Sequence, residues 1–375
     1  MAPTPAYKTE SPLTTATAGG AARGTPTKAY AALQPKGALV PYTIERRAPR
    51  EDDVVLEIAY CGICHTDLFE VNQLWNSEGI FPMVPGHEIV GTVTAVGPAV
   101  TKFRVGDRAA VGCMVDSCGT CRACADDLQQ YCETGGKVNT YNSRDKKTGE
   151  PSYGGYSTHI VVKEGFTLRV PDNLDLAKTA PLLCAGITTY APLKQWGAGP
   201  GKKVGVVGLG GLGHIAVKIA AAMGAEVTCF TTSPKKRDEA HKLGAHKVVL
   251  TSIKDELAAA QGQYDLLLDT VSAYHDLNLG LLKRDGVLAL VGAPEKPLSL
   301  NAGELIFGRK CIAGSLIGGI KQTQEMLDFC GRHSIGAEIE LIPIQQVNDA
   351  YKRLDKGDVH YRFVIDIKNS LAKAD

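Results

Sequence analysis

Gly208-Leu209-Gly210-Gly211-Leu212-Gly213 lies between an apolar run, Val204 to Val207, and a helical pattern over Leu212 to Met223. No other stretch constrains the fold as strongly. Glycines at these spacings let the chain turn tightly out of a buried strand, and they let a pyrophosphate approach the helix N-terminus, where free N–H groups and the dipole favour anions. The alternation continues with a strand at Val227 to Phe230, a helix over Lys235 to Leu243 and strands at Val248 to Leu250, Leu266 to Asp269, Leu288 to Val291 and Ala313 to Leu316. Strands and helices at such spacing predict an α/β fold with a doubly wound parallel sheet. The alternative for the glycine run alone is a structural strand-to-helix turn.

Where an acidic side chain would bind the ribose hydroxyls of NAD, the end of the second strand reads Thr231-Thr232-Ser233-Pro234-Lys235-Lys236. Hydroxyls and cations there suit a 2′-phosphate that a carboxylate would repel, so NADP(H) is the expected dinucleotide. Glu226, the nearby acid, lies before that strand.

The preceding half has a different texture. Residues 1–26 are rich in Ala, Thr, Pro and Gly and are expected to form a flexible tail, with order beginning near Lys28 and an organellar transit peptide as the alternative. From residue 27 to about 180, short strands broken by Gly and Pro, such as Ile89 to Val96, predict a β-rich, barrel-like domain. A helix at Thr323 to Phe329, a strand at Glu338 to Leu341, a helix at Val347 to Leu354 and a strand at Phe363 to Ile367 are expected to return to it. The expected division is thus 27–180 with 320–375 for the first domain and 181–319 for the second.

Chemistry concentrates in the first domain. Cys61-Gly-Ile-Cys-His-Thr-Asp67 packs a thiol, a hydroxyl and a carboxylate into Cys64 to Asp67, after an apolar strand. Eleven cysteines in a 375-residue chain that begins without an apolar signal-peptide core point to metal thiolates in a reducing compartment, not to disulfides. Cys118, Cys121, Cys124 and Cys132 have the spacing of a closed, structural tetrahedral zinc site, with a thiol redox sensor as the alternative. Cys113 is expected to be a buried thiol and not a fifth ligand. Cys64, His87 and Cys184 are dispersed; together they offer two thiolates and an imidazole with room for a fourth ligand, the pattern of a catalytic zinc. Asp67 would orient the His87 ring and Glu88 would tune the metal. A net charge of +1 leaves no footprint for nucleic acid or an anionic membrane, and no long apolar run predicts a span, so a cytoplasmic enzyme is expected.

With these motifs in order, together with Pro85-Gly-His-Glu-Ile-Val-Gly91, Gly154-Gly-Tyr-Ser157 and Leu183-Cys-Ala-Gly-Ile-Thr-Thr-Tyr190, the chain resembles the medium-chain zinc-dependent alcohol dehydrogenases over about Lys28 to Ile367. Within them it is most similar to the NADP(H)-dependent cinnamyl alcohol dehydrogenase and aldehyde reductase branch. The resemblance implies a GroES-like catalytic domain, two zinc ions per chain, a homodimer, and hydride transfer between NADP(H) and an aldehyde or primary alcohol, with a polyol or secondary-alcohol dehydrogenase as the rival. It implies that Thr66 relays the proton, that Thr188, Thr270, Gly292, Ser315, Leu316 and Ile317 line the cofactor channel, and that His65 and Arg362 reach the pyrophosphate. Trp75 and Met114 are the expected substrate-pocket side chains. Many relatives place a histidine two residues after the Asp of Cys-His-Thr-Asp; here Phe69 stands there, which breaks the outward proton path from Thr66.

Overall fold

The computed structural model describes residues 24–74, 78–294 and 296–373. Trp75 and residues 1–23 of the expected tail lie outside them. The strand Thr25–Ala32 already pairs antiparallel with Leu39–Arg46, Thr25 opposite Arg46, so order begins ahead of the expected Lys28. The composition of residues 24–26 concealed this because a main-chain ladder needs no branched side chains.

Six parallel strands form one sheet, in the order Lys247–Leu250, Glu226–Thr231, Lys203–Val207, Tyr264–Asp269, Leu282–Leu290 and Cys311–Gly314. Strand order reverses at Lys203–Val207, so the crevice beyond its carboxyl end is the natural ligand position of such a sheet. Leu266, Leu267 and Leu268 are all buried, as expected for a strand covered on both faces.

A second sheet of seven strands is built around Asp53–Gly62, which pairs with Ile89–Val96, His159–Lys163 and the C-terminal strand Arg362–Asp366. Register shifts between Val55 and Leu56 and between Ile58 and Tyr60 bend this long strand, allowing it to serve several neighbours. Ile339–Ile342 extends the sheet through Arg362–Asp366. The end of the chain thereby closes the domain that its beginning opened.

Among the helices that escape the sequence pattern, two position the site. His65–Asn72 interrupts the β-rich region directly after Asp53–Gly62. Ala185–Gln195 buries nine of its eleven residues and contains Pro192, so it shows no amphipathic stripe and carries a helix breaker. Among the described residues no helix is long and apolar enough to cross a membrane.

Candidate active site and dinucleotide groove

Cys64 lies two residues past the strand Asp53–Gly62 and stands at the N-cap of His65–Asn72, where its N–H donates to Asp67 Oδ2 at 2.9 Å. Asp67 is fully buried and gathers further donors: Gly86 N–H at 3.2 Å, the Tyr156 hydroxyl at 3.2 Å, and His87 Nδ1 at 3.4 Å from Oδ1. The Tyr351 hydroxyl donates in turn to that of Tyr156 at 3.3 Å. One carboxylate therefore fixes the Cys64 turn to the Gly86-His87 turn. Gly86 has φ +102°, and a Cβ there would lie 2.7 Å from Cys61 Sγ, so this approach requires glycine.

Cys184 arrives from the N-cap of Ala185–Gln195, its Sγ 3.8 Å from that of Cys64. One donor atom each from Cys64, His87, Glu88 and Cys184 lies within 4.8 Å of the others. With His87 Nδ1 turned to Asp67, its Nε2 is buried with no hydrogen-bond partner, and so is Glu88 Oε2. Buried polar atoms are normally paired, so two orphans beside two thiols fit a soft, tetrahedral metal ion such as zinc. Burial lifts the Glu88 carboxyl to about 8 against the opposing charge of Arg362. The Cys64 thiol is held well below its ordinary range, chiefly by its contact with Cys184. Cys113, expected to be buried and not a ligand, is half-buried with its Sγ 3.8 Å from Leu183 O and is not one of the four gathered donors. Thr66 is half-buried in the first turn of His65–Asn72, while His65 is exposed and packs on Phe69 with ring centroids 6.0 Å apart. Met114 is buried in the short strand Met114–Asp116.

Cys118, Cys121, Cys124 and Cys132 bring their sulfurs within the same 4.8 Å limit, with 3.8 Å between Cys118 and Cys124. The Cys121 N–H donates to Cys118 Sγ at 3.3 Å, and hydrogen bonds from Thr134, Thr120 and Cys121 bring the Cys118 thiol down to about 5. Such donors prepare thiolates for a metal.

In the other sheet Gly208 has φ +90°, and a Cβ at Gly213 would lie 2.0 Å from Gly208 O. Beside Gly210 there is open space, as close approach of a pyrophosphate requires. Lys236 donates to Leu209 O at 2.7 Å, and the Ser233 N–H to Thr231 Oγ1 at 3.2 Å; Thr232 and Lys235 are exposed. Thr270 Oγ1 donates to Val207 O at 2.8 Å, Gly292 N–H to Asp269 O at 3.1 Å and Ser315 N–H to Leu290 O at 3.1 Å, so these residues share the carboxyl edge of the sheet with the glycine turn. Leu316 and Ile317 follow, and Thr188 is buried in the helix that begins after Cys184. Arg362, expected to reach the pyrophosphate, has further partners: its Nη2 donates to Glu88 Oε1 and to Ile63 O, the latter at 2.9 Å. A Cβ at Gly211 would nonetheless lie 3.0 Å from Arg362 Cδ, so this side chain runs from the glycine turn to the Glu88 carboxylate.

A cavity of about 380 Å³ lies elsewhere, lined by Arg46, Arg47, Arg50 and Asp145 among others. Its guanidinium groups bond Asp53, Asp145 and main-chain carbonyls.

Neither Tyr156 nor Tyr351 was singled out from the sequence for the support of Asp67. Tyr156 at least sits in the Gly-Gly-Tyr-Ser motif; Tyr351 comes from a remote C-terminal helix and carries no local signal.

Residues 50–172 match the alcohol dehydrogenase GroES-like domain and residues 211–332 the zinc-binding dehydrogenase domain. The chain is 54% identical to the aldehyde reductase YahK of Escherichia coli, covering 90% of this chain and 96% of that one. It is 53% identical to a protein described as a probable mannitol dehydrogenase of Fragaria ananassa, over 91% and 95% of the two chains. Its structure matches that of the cinnamyl alcohol dehydrogenase of Helicobacter pylori complexed with NADP(H), with a TM-score of 0.86, 42% identity and coverage of 93% and 100%. The fold, the two cysteine sets and these similarities together show that the chain belongs to the zinc-binding alcohol dehydrogenases, with a GroES-like domain and a Rossmann dinucleotide-binding domain.

Proposed function

We propose that this protein reduces aldehydes with NADPH, and oxidises the corresponding primary alcohols, with aromatic and cinnamyl-type aldehydes as its preferred substrates. The observation that carries the reading is the convergence of Cys64, His87 and Cys184, from three separate elements, on a pocket containing an orphaned imidazole nitrogen. These three residues are assigned to a catalytic zinc, and Cys118, Cys121, Cys124 and Cys132 to a structural one. A zinc ion held there supplies Lewis-acid polarisation of the substrate oxygen.

The protein's own groups do the rest. Asp67 holds His87 Nδ1 and thereby fixes which nitrogen faces the thiols. Thr66, one turn position after His65, is assigned to pass a proton to the substrate oxygen. With Phe69 beyond it, the proton that replenishes Thr66 arrives from the cofactor side and not along a histidine path. Gly208 to Gly213 and the hydroxyls of Thr231, Thr232 and Ser233, with Lys235 and Lys236, are assigned to the dinucleotide and its 2′-phosphate. Thr188, Thr270, Gly292 and Ser315 to Ile317 are assigned to the rest of the channel. The protein is proposed to act as a homodimer: the edge strand Cys311–Gly314 has a partner on one side, and Phe307 and Ile306, just before it, are 93% and 72% exposed.

The deciding experiment measures metal content and NADPH oxidation on one purified sample offered cinnamaldehyde and benzaldehyde, with NADH as control. Two zinc ions per chain and faster NADPH-linked reduction are expected. No oxidation of either cofactor by a fully metallated sample overturns the reading; preference for a sugar alcohol as substrate transfers it to the polyol branch.

A further inference from the structure

Ile317 adopts φ +37°, in the left-handed region. A β-branched residue is rarely found there, and such backbone persists only where its surroundings over-determine it. What surrounds it is the four-cysteine loop. The Leu316 N–H donates to the Tyr131 hydroxyl oxygen at 2.9 Å, on one side of Ile317. On the other side the helix Ile320–His333 begins at Gly319, which has no side chain to cap it. Its first N–H groups are taken instead by the same loop: Ile320 N–H donates to Gln129 Oε1 at 3.1 Å, and Lys321 and Gln322 N–H each donate to the Asp127 carboxylate at 3.0 Å. A carboxylate at a helix N-terminus is favoured by both the free donors and the dipole. The contact is also steric, because a Cβ at Gly319 would lie 1.6 Å from Asp127 O.

We infer that the four-cysteine loop is a clamp on the cofactor-lining segment Ser315 to Ile317, with Asp127 and Tyr131 as positioning residues for dinucleotide binding. The inference rests on the assignment of that segment to the cofactor channel. The mechanism is geometric: Asp127, Gln129 and Tyr131 lie between Cys124 and Cys132 in sequence, so whatever fixes those sulfurs fixes the three acceptors. The segment they hold then follows Leu290 and Gly314 out of the sheet in one conformation. A loop described solely as a stability device would have no need to seize these particular N–H groups.

Asp127→Gly removes the carboxylate while accepting the residue's own positive φ of +59°, and Tyr131→Phe removes a single acceptor and keeps the ring. Asp127→Asn is the conservative control, since it retains one carbonyl oxygen and tolerates the same backbone. NADPH affinity is read by fluorescence titration without substrate, beside zinc content and a KM-against-kcat comparison. The expected result for Asp127→Gly is a dissociation constant raised about tenfold, as befits the loss of charge-assisted hydrogen bonds. Tyr131→Phe should show a smaller rise and Asp127→Asn partial rescue, with two zinc ions retained and kcat at saturating NADPH near that of the parent. Unchanged NADPH affinity in both Asp127→Gly and Tyr131→Phe overturns the clamp. A parent protein that does not bind NADPH overturns the cofactor assignment instead, so the two failures are told apart by the first titration.

Discussion

Cys118, Cys121, Cys124 and Cys132 share one loop, whereas Cys64 and Cys184 stand 120 positions apart and meet only because a strand end, a glycine turn and a helix start converge. The loop set is largely half-buried and receives main-chain and hydroxyl donors to its sulfurs; the dispersed set is mostly buried and keeps His87 Nε2 and Glu88 Oε2 unpaired. A metal in the first place would substitute for a hydrophobic core within the loop, whose other anchors are polar bonds to Leu316 and the start of the helix Ile320–His333. In the second, the surrounding residues are already buried, and Asp67 with its donors orients His87 and the Cys64 turn without a metal.

Breaking the dispersed set should have the largest effect on chemistry. Cys184→Ser is expected to lower turnover about 10³-fold or more, near 4 kcal/mol of barrier, while metal analysis still finds the loop zinc. Loss of both metals would erase the contrast between the sites. For the loop, Cys132→Ser should cost about 2–4 kcal/mol of folding stability, read as a lower urea midpoint, yet leave the dispersed set able to bind zinc. An unchanged midpoint would deny the loop its structural role. Asp67→Asn tests how far the dispersed set depends on its support: metal affinity and turnover should both fall about 10- to 100-fold, and a variant indistinguishable from the parent would show that His87 needs no orientation.

The smallest effect lies on the coenzyme sheet, as a reference outside both metal sites. His275 Nε2 lies 2.7 Å from Oδ2 of buried Asp269, and although burial lowers its pKa, bonds to Ala273 O and Asp269 raise it overall above the ordinary value. Because the folded value is the higher one, this pair stabilises fully below about pH 6.5, and the contribution fades as pH rises through the folded pKa. Replacing His275 by Asn should flatten that part of the profile of urea midpoint against pH. A profile of identical shape in the variant would remove the pair from the account.

Local patterns were legible and tertiary ones were not. The strand Ile89–Val96 and the glycine turn were readable because alternation and turn chemistry are written in adjacent residues. The spacing of Cys118 to Cys132 likewise announces a metal site by itself. Cys64, His87 and Cys184 form one set through their donor chemistry and the resemblance together, since no spacing rule links them. Ala185–Gln195 was hidden by burial on every side, and the role of Tyr351 by its distance along the chain. The resemblance implies a place for Arg362 near the pyrophosphate but gives no sign of its bond to Glu88, which joins two elements 274 positions apart.

That bond has a thermodynamic corollary. The Arg362 guanidinium is a single counter-ion with two claimants, the carboxylate of Glu88 and any anion resting on the turn at Gly211. Charge drawn toward one is withdrawn from the other, and a free-energy coupling between two sites is the same measured from either end. An anion bound at the turn would therefore be felt at Glu88, and the effect of each site on the other's binding free energy would be equal.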